Sequence, residues 1–82
     1  LKLLVTGGSQ GAAILNSVVP AAIALLPAEV RSTLDVTHQG REEDQPAMLA
    51  AYRAAGIEPV IAAYFADLPA EMASSHIVIA RS

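Results

Sequence analysis

Apolar runs of strand length alternate with segments of helical period along the whole chain. The first run, residues 2–6, is continuous in Leu and Val, as expected for a strand that is buried on both faces. The pattern predicts strands at 2–6, 33–38, 59–65 and 76–80, and helices at 11–26, 45–55 and 68–74. This β-α-β-α-β-α-β order predicts a parallel α/β sheet with right-handed crossovers.

Local signals mark the ends and faces of the predicted helices. The first helix has an apolar face, and Pro20 inside it predicts a kink or a change of axis. Gly56 is a suitable terminator for the second helix, and Asp67 is a suitable N-cap for the third, with Pro69 in its first turn. The predicted apolar face of the first helix comprises Leu15, Val18, Val19, Ala22 and Leu26.

The commonest doubly wound layout of such a chain is Rossmann-like, with strand order 3-2-1-4. Strands one and four are then neighbours, and a ligand crevice opens between their carboxyl ends. This order places the glycine-rich stretch after strand one beside Arg81 and Ser82. It also leaves strand four as an exposed apolar edge.

Composition narrows the class of protein. Of the 82 residues 54% are hydrophobic, which is more than a domain of this size usually needs, and the sequence starts and stops directly at predicted strands. We therefore expect residues 1–82 to be one partial domain of a larger protein. The five basic residues are scattered, so a nucleic-acid partner is not expected, and the absence of cysteine excludes disulfides and thiolate metal sites. No other metal-ligand spacing is present.

The stretch Gly7-Gly8-Ser9-Gln10-Gly11 joins the first strand to the first helix. Glycine lets the backbone approach a ligand closely, and the first N–H groups of a helix lack intrahelical partners. Together with the helix dipole, these donors favour an anion such as a diphosphate. The stretch therefore predicts a phosphate-binding turn.

Other polar side chains have simpler interpretations. His38 and Gln39 end a strand near the expected crevice, but a lone histidine is more often structural than a ligand. Asp67 is interpreted as a helix cap rather than a catalytic base. Residues 42–44 are interpreted as a solvated acidic face that suits a helix N-terminus, and the stripe of Met48, Leu49 and Tyr52 as core.

Four motifs resemble one family in their order along the chain. They are Gly7–Ala12 followed by Leu15-Asn16 and Pro20, then His38-Gln39, then Tyr64-Phe65 with Asp67-Leu68, and then Ile77–Ser82. This set resembles the first half of the C-terminal, donor-binding domain of the MurG family, whose members have a GT-B architecture. The resemblance covers nearly the whole chain.

The resemblance implies an activity. Members transfer N-acetylglucosamine from UDP-N-acetylglucosamine to undecaprenyl-diphosphate-muramoylpentapeptide in peptidoglycan synthesis, with no cofactor. The acceptor would be bound through an N-terminal domain, and the parent protein would lie peripherally at the cytoplasmic face of the bacterial inner membrane. The 82 residues alone are expected to be inactive.

The resemblance also implies binding residues, although no catalytic residue. Ser9 would contact the UDP diphosphate, framed by the amides of Gly8, Gln10 and Gly11. Phe65 would hold the uracil through its backbone, and Ser82 would begin a further part of the donor site.

Two alternatives stay open from the residues. Thr6-Gly7 with Gly11 is also similar to the turn of short-chain dehydrogenases, which bind NAD(P), although Ala13 stands where that family has its last glycine. A non-catalytic α/β interaction module, in which the turn is structural, is the other alternative.

Overall fold

The structure is a computed structural model that describes residues 1–7 and 12–81. In these residues four parallel strands form a single sheet in the order β3-β2-β1-β4, as predicted. The strands are β1 (Lys2–Gly7), β2 (Asp35–Gln39), β3 (Val60–Ala62) and β4 (Ile77–Arg81). The helices are α1 (Ala12–Ala24), α2 (Ala28–Arg31), α3 (Gln45–Ala54) and α4 (Leu68–Ser74), and a 3₁₀ turn covers Glu42–Asp44.

The register places β1 at the centre of the sheet. Leu4 is aligned with Thr37 of β2 on one side and with Val78 of β4 on the other. Gly7 is aligned with Arg81, so β1 and β4 end at the same level. The prediction that strands one and four are neighbours in the sheet is therefore confirmed.

The main core lies between one face of the sheet and helices α1 and α3. Leu3, Val5 and Val36 alternate along β1 and β2 and therefore share that face. Val19 and Tyr52 reach it from the two helices. The further members of this buried cluster are Ile23, Ala55 and Ile57. The predicted core positions Met48 and Tyr52 are buried, and Leu49 is half-buried.

Helix α1 differs from its predicted form. It contains Pro20 as predicted, with a buried ring that packs in the interior, but it ends at Ala24 rather than near residue 26. Ile23 is buried, whereas Val18, which was predicted on the buried face, is 54% exposed. Val18 instead borders an apolar groove between α1 and β4, together with Ile79.

The ends of α3 and α4 follow the sequence signals. Gly56 has φ of 81°, a left-handed conformation that favours glycine after a helix. The Asp67 carboxylate accepts a hydrogen bond of 3.1 Å from the Ala70 amide, so Asp67 is the N-cap of α4.

The third strand is shorter than predicted, and Tyr64 and Phe65 lie beyond its end. Among the described elements strand β3 pairs only with β2, and that pairing finishes where Gln39 is aligned with Ala62. One more backbone hydrogen bond, 2.9 Å from the Gly40 amide to the Ala62 carbonyl, closes the ladder. Without a further partner strand, residues 63–66 continue as a connection to α4.

Within residues 1–7 and 12–81, no helix combines the length and apolar character that crossing a bilayer requires.

Candidate functional site at the carboxyl edge of the sheet

The candidate site is the edge of the sheet at which all four strands end. Thr6 and Gly7 lie there on β1, His38 and Gln39 on β2, and Arg81 on β4. Helix α1 begins at Ala12, with four residues between it and the end of β1, and its first turn carries no acidic side chain. The positive end of the helix dipole is therefore not neutralised by a carboxylate of its own first turn. In parallel α/β sheets, ligands bind outside this edge.

Most of the predicted binding residues lie outside the part of the chain that the structure describes. These are Gly8, Ser9, Gln10, Gly11 and Ser82. Their roles stay predictions. Phe65 is described, and it lies half-buried in the connection between β3 and α4, beside this edge.

A series of hydrogen bonds connects β1 and β2 with the segment after β3 at this edge. The Thr6 hydroxyl donates to the Gln39 side-chain oxygen at 2.5 Å, and the Gln39 amide nitrogen donates to the Ala63 carbonyl at 3.3 Å. Thr6 is buried and Gln39 is half-buried. The chain links β1, β2 and the first residue beyond β3.

His38 points away from solvent and into the core. It is fully buried, and its Nδ1 lies 2.5 Å from the Tyr52 hydroxyl, with the two rings edge to face. Burial lowers the pKa of His38 from 6.5 to about 4, so the imidazole is neutral at pH 7. Burial likewise raises the pKa of Tyr52. These contacts give His38 a structural role in β2 and α3.

The loop after β2 is held in place by packing and charge. The Met48 side chain packs so closely against Gly40 that a Cβ at residue 40 would overlap it. The Gln45 side-chain nitrogen Nε2 donates to the Gly40 carbonyl at 3.1 Å. Arg41 pairs with Asp44 at 3.1 Å, and Asn16 of α1 donates to the same carboxylate at 3.4 Å. In the described residues, no three His, Asp or Glu side chains are grouped as a metal site would require.

Sequence reasoning missed the contact between Thr6 and Gln39, because it depends on the register of β1 against β2. The available signal was that each is the last polar side chain of its strand on the same face of the sheet. It also missed the contact of the Gln39 amide with Ala63, since residue 63 was predicted to lie inside a strand.

The all-parallel sheet of order 3-2-1-4, with its strand ends gathered beside the start of α1, defines a Rossmann-like α/β domain. The chain belongs to the family described as the glycosyltransferase family 28 C-terminal domain, which matches residues 2–82. The resemblance identified from the sequence motifs is therefore confirmed.

Relatives in Brucella canis, Brucella abortus and Brucella suis are each 48% identical to this chain over 81 residues. Each is named UDP-N-acetylglucosamine–N-acetylmuramyl-(pentapeptide) pyrophosphoryl-undecaprenol N-acetylglucosamine transferase. The match covers 99% of this chain and 21% of each relative, so the chain spans about a fifth of their length. A crystal structure of Acinetobacter baumannii MurG has a TM-score of 0.78 at 28% identity, and the match covers 99% of this chain and 24% of that one.

Proposed function

We propose that this chain is part of the donor-binding half of an N-acetylglucosamine transferase that uses UDP-N-acetylglucosamine. The observation that carries this proposal is the family match over residues 2–82, which includes every segment at the carboxyl edge of the sheet. The names of the 48%-identical relatives supply the donor and the transferred sugar.

The chemistry of the glycine-rich stretch fits a diphosphate. The Ser9 hydroxyl and the amides of Gly8, Gln10 and Gly11 are hydrogen-bond donors, placed in sequence between the end of β1 and the start of α1. Donors of this kind stabilise the negative charge that develops as UDP leaves, which is how such a turn accelerates glycosyl transfer.

The remaining donor contacts are assigned to two other strand ends. The Phe65 backbone would hold the uracil from the connection after β3. Ser82 would carry the diphosphate and ribose contacts onward from β4, a proposal supported by the alignment of Arg81 with Gly7, the first residue of the glycine-rich stretch.

The acceptor is proposed to be the lipid-linked muramoylpentapeptide, bound by the part of the protein that corresponds to the rest of the relatives' length. The relatives' names include an undecaprenol-linked acceptor, and such a long hydrocarbon stays in a bilayer. We further propose that the protein lies peripherally at the cytoplasmic face of the bacterial inner membrane.

The test is a substitution of Ser9 in a transferase of full length that carries this chain. Such a protein is made by replacing the matched segment of the Brucella abortus relative with this chain. Ser9→Ala should weaken UDP-N-acetylglucosamine binding about 10- to 100-fold, as expected for losing a hydrogen bond to a charged group. Ser17→Ala is the matched control, because the exposed Ser17 hydroxyl bonds only to the Ile14 carbonyl of its own helix, at 3.2 Å, among the described residues.

The same titration separates the alternatives. Binding of NADPH without UDP-N-acetylglucosamine would replace the transferase proposal with the dehydrogenase one. If neither ligand binds, the glycine-rich stretch is structural and the chain is an interaction module.

A further inference from the structure

The hydrogen-bonded chain Thr6–Gln39–Ala63 has a fixed direction. The Ala63 carbonyl can only accept, so the Gln39 side chain must turn its nitrogen toward Ala63 and its oxygen toward Thr6. The Thr6 hydroxyl must therefore donate to Gln39. The opposite orientation of the amide would bring two oxygens together at Ala63, and so the arrangement has one stable form.

The segment that these hydrogen bonds hold, residues 63–66, has little other support. Among the described residues, 63–66 make no backbone hydrogen bond outside their own segment, since the last bond of the β2–β3 ladder is at Ala62 and the next cap is at Asp67. The Gln39 amide is the one hydrogen bond that another element gives to this described segment. Ala63, Tyr64 and Ala66 are exposed, so packing supports the segment only at the half-buried Phe65.

We propose that Thr6 and Gln39 are positioning residues for the nucleotide base, through the Ala63–Phe65 segment. The inference rests on the proposed function, in which the Phe65 backbone contacts the uracil. A base that is read by main-chain groups is discriminated only if that main chain is held in one place. Gln39 fixes the segment from β2, and Thr6 fixes Gln39 from the buried centre of the sheet.

Three variants test the Thr6–Gln39 and Gln39–Ala63 hydrogen bonds separately. Gln39→Glu keeps an acceptor for Thr6 but places a carboxylate oxygen against the Ala63 carbonyl. Thr6→Val removes the hydroxyl at nearly constant shape, and Thr6→Ser restores it. Thr37→Val is the matched control. Thr37 lies on the same face of β2 as Gln39, and its hydroxyl makes no hydrogen bond among the described residues.

The experiment uses steady-state kinetics of the full-length transferase that carries this chain. Thr6→Val and Gln39→Glu should each raise the KM for UDP-N-acetylglucosamine about 3- to 10-fold, as expected for one lost neutral hydrogen bond. Preference for the uridine donor over the cytidine analogue should fall by a similar factor. The acceptor KM should stay constant, and Thr6→Ser and Thr37→Val should behave like the parent.

The double variant tests whether the two residues act through one another. Because Thr6 acts only through Gln39, Thr6→Val with Gln39→Glu should raise the donor KM no further than Gln39→Glu alone. If Gln39→Glu raises the donor KM and Thr6→Val does not, Gln39 contacts the donor directly and the positioning role of Thr6 is overturned.

Stability and function are read separately. If the variants lower the Tm but leave donor KM and base preference unchanged, the chain of bonds is only structural and the inference falls while the proposed function stands. If the unsubstituted transferase does not use UDP-N-acetylglucosamine, the proposed function falls and takes the inference with it.

Discussion

Strands β1 and β4 are neighbours with similar sequences, yet they are buried to very different degrees. Leu4 is aligned with Val78 in the parallel ladder, but Leu4 is 0% exposed and Val78 is 36% exposed. Strand β1 has a partner strand on each side, whereas β4 has one among the described elements. The hydrophobicity of a residue therefore does not decide its burial here, and its place in the layers does.

Helices α3 and α4 show the same contrast. Both carry a proline near the N-terminus, and α3 buries Met48 and Tyr52 against the sheet. No residue of α4 is buried, and its link to β1 includes an ion pair of 3.2 Å between Glu71 and Lys2. The half of the molecule built from β1, β2 and α3 thus holds much of the buried core, whereas among the described residues of α4 and β4 the half-buried Ile79 packs against that core.

The largest expected difference between the halves is at the aligned pair. Leu4→Ala removes a fully buried side chain and should lower the free energy of unfolding by about 2–5 kcal/mol. Val78→Ala should cost less than about 1 kcal/mol, because that side chain keeps part of its contact with water. Urea denaturation of both variants measures the two values. Equal losses would contradict the contrast between β1 and β4.

Acid should destabilise mainly the half built from β1, β2 and α3. The pKa of His38 is 6.5 when unfolded and about 4 when folded, so the unfolded state binds the extra proton between these values. The stability contributed by neutral His38 is complete above pH 6.5 and is lost as pH falls toward 4, a change of about 3 kcal/mol.

Urea midpoints measured between pH 7.5 and pH 4 check this prediction. The His38→Gln variant should lose most of the dependence, since residue 38 then no longer titrates. A pH dependence that persists in full in His38→Gln would show that His38 is not its source.

A smaller effect is expected at the end of α3. Gly56→Ala places a side chain in a left-handed conformation and should cost about 1–2 kcal/mol, although space is available for the added methyl group. Thermal unfolding of Gly56→Ala beside Ala54→Gly, a change within the last turn of the helix, separates backbone strain from helix propensity. An unchanged Tm for Gly56→Ala would mean that the chain can leave the left-handed conformation without loss.

The smallest effect is expected at the start of α4. Asp67→Ala removes the carboxylate that accepts from the Ala70 amide and should cost about 1 kcal/mol. Asp67→Asn, which keeps an acceptor oxygen, should retain most of the stability. Hydrogen exchange at Ala70 measures the local effect, and the contrast of the halves predicts that exchange in α3 stays unaffected.

Elements with a strong local pattern were predictable from the sequence. The continuous apolar run of β1, the glycine after α3 and the Asp-Leu-Pro start of α4 each follow from backbone chemistry that acts within a few residues. The strand order followed from the alternation of strands and helices. Helix α2 was missed because its four residues are too few to show a period.

What depends on tertiary contacts was not predictable. The exposure of Val18 and the burial of Ile23 are set by which side of α1 the sheet occupies. The contact of His38 with Tyr52 joins two residues that are 14 positions apart in the sequence. In the candidate site, the glycine-rich stretch has a motif of its own, whereas the contact of Thr6 with Gln39 exists only once β1 and β2 are in register.

The central position of β1 also has a consequence for the order of folding. Leu3 is aligned with Val36 on one side and with Ile77 on the other, and Ile77 is much farther away in the sequence. Contacts between residues so far apart in sequence form slowly, because the intervening chain loses much freedom before the contact is made. During synthesis on a ribosome, the edge of β1 that pairs with β4 must therefore stay unpaired until residues 77–81 have been made.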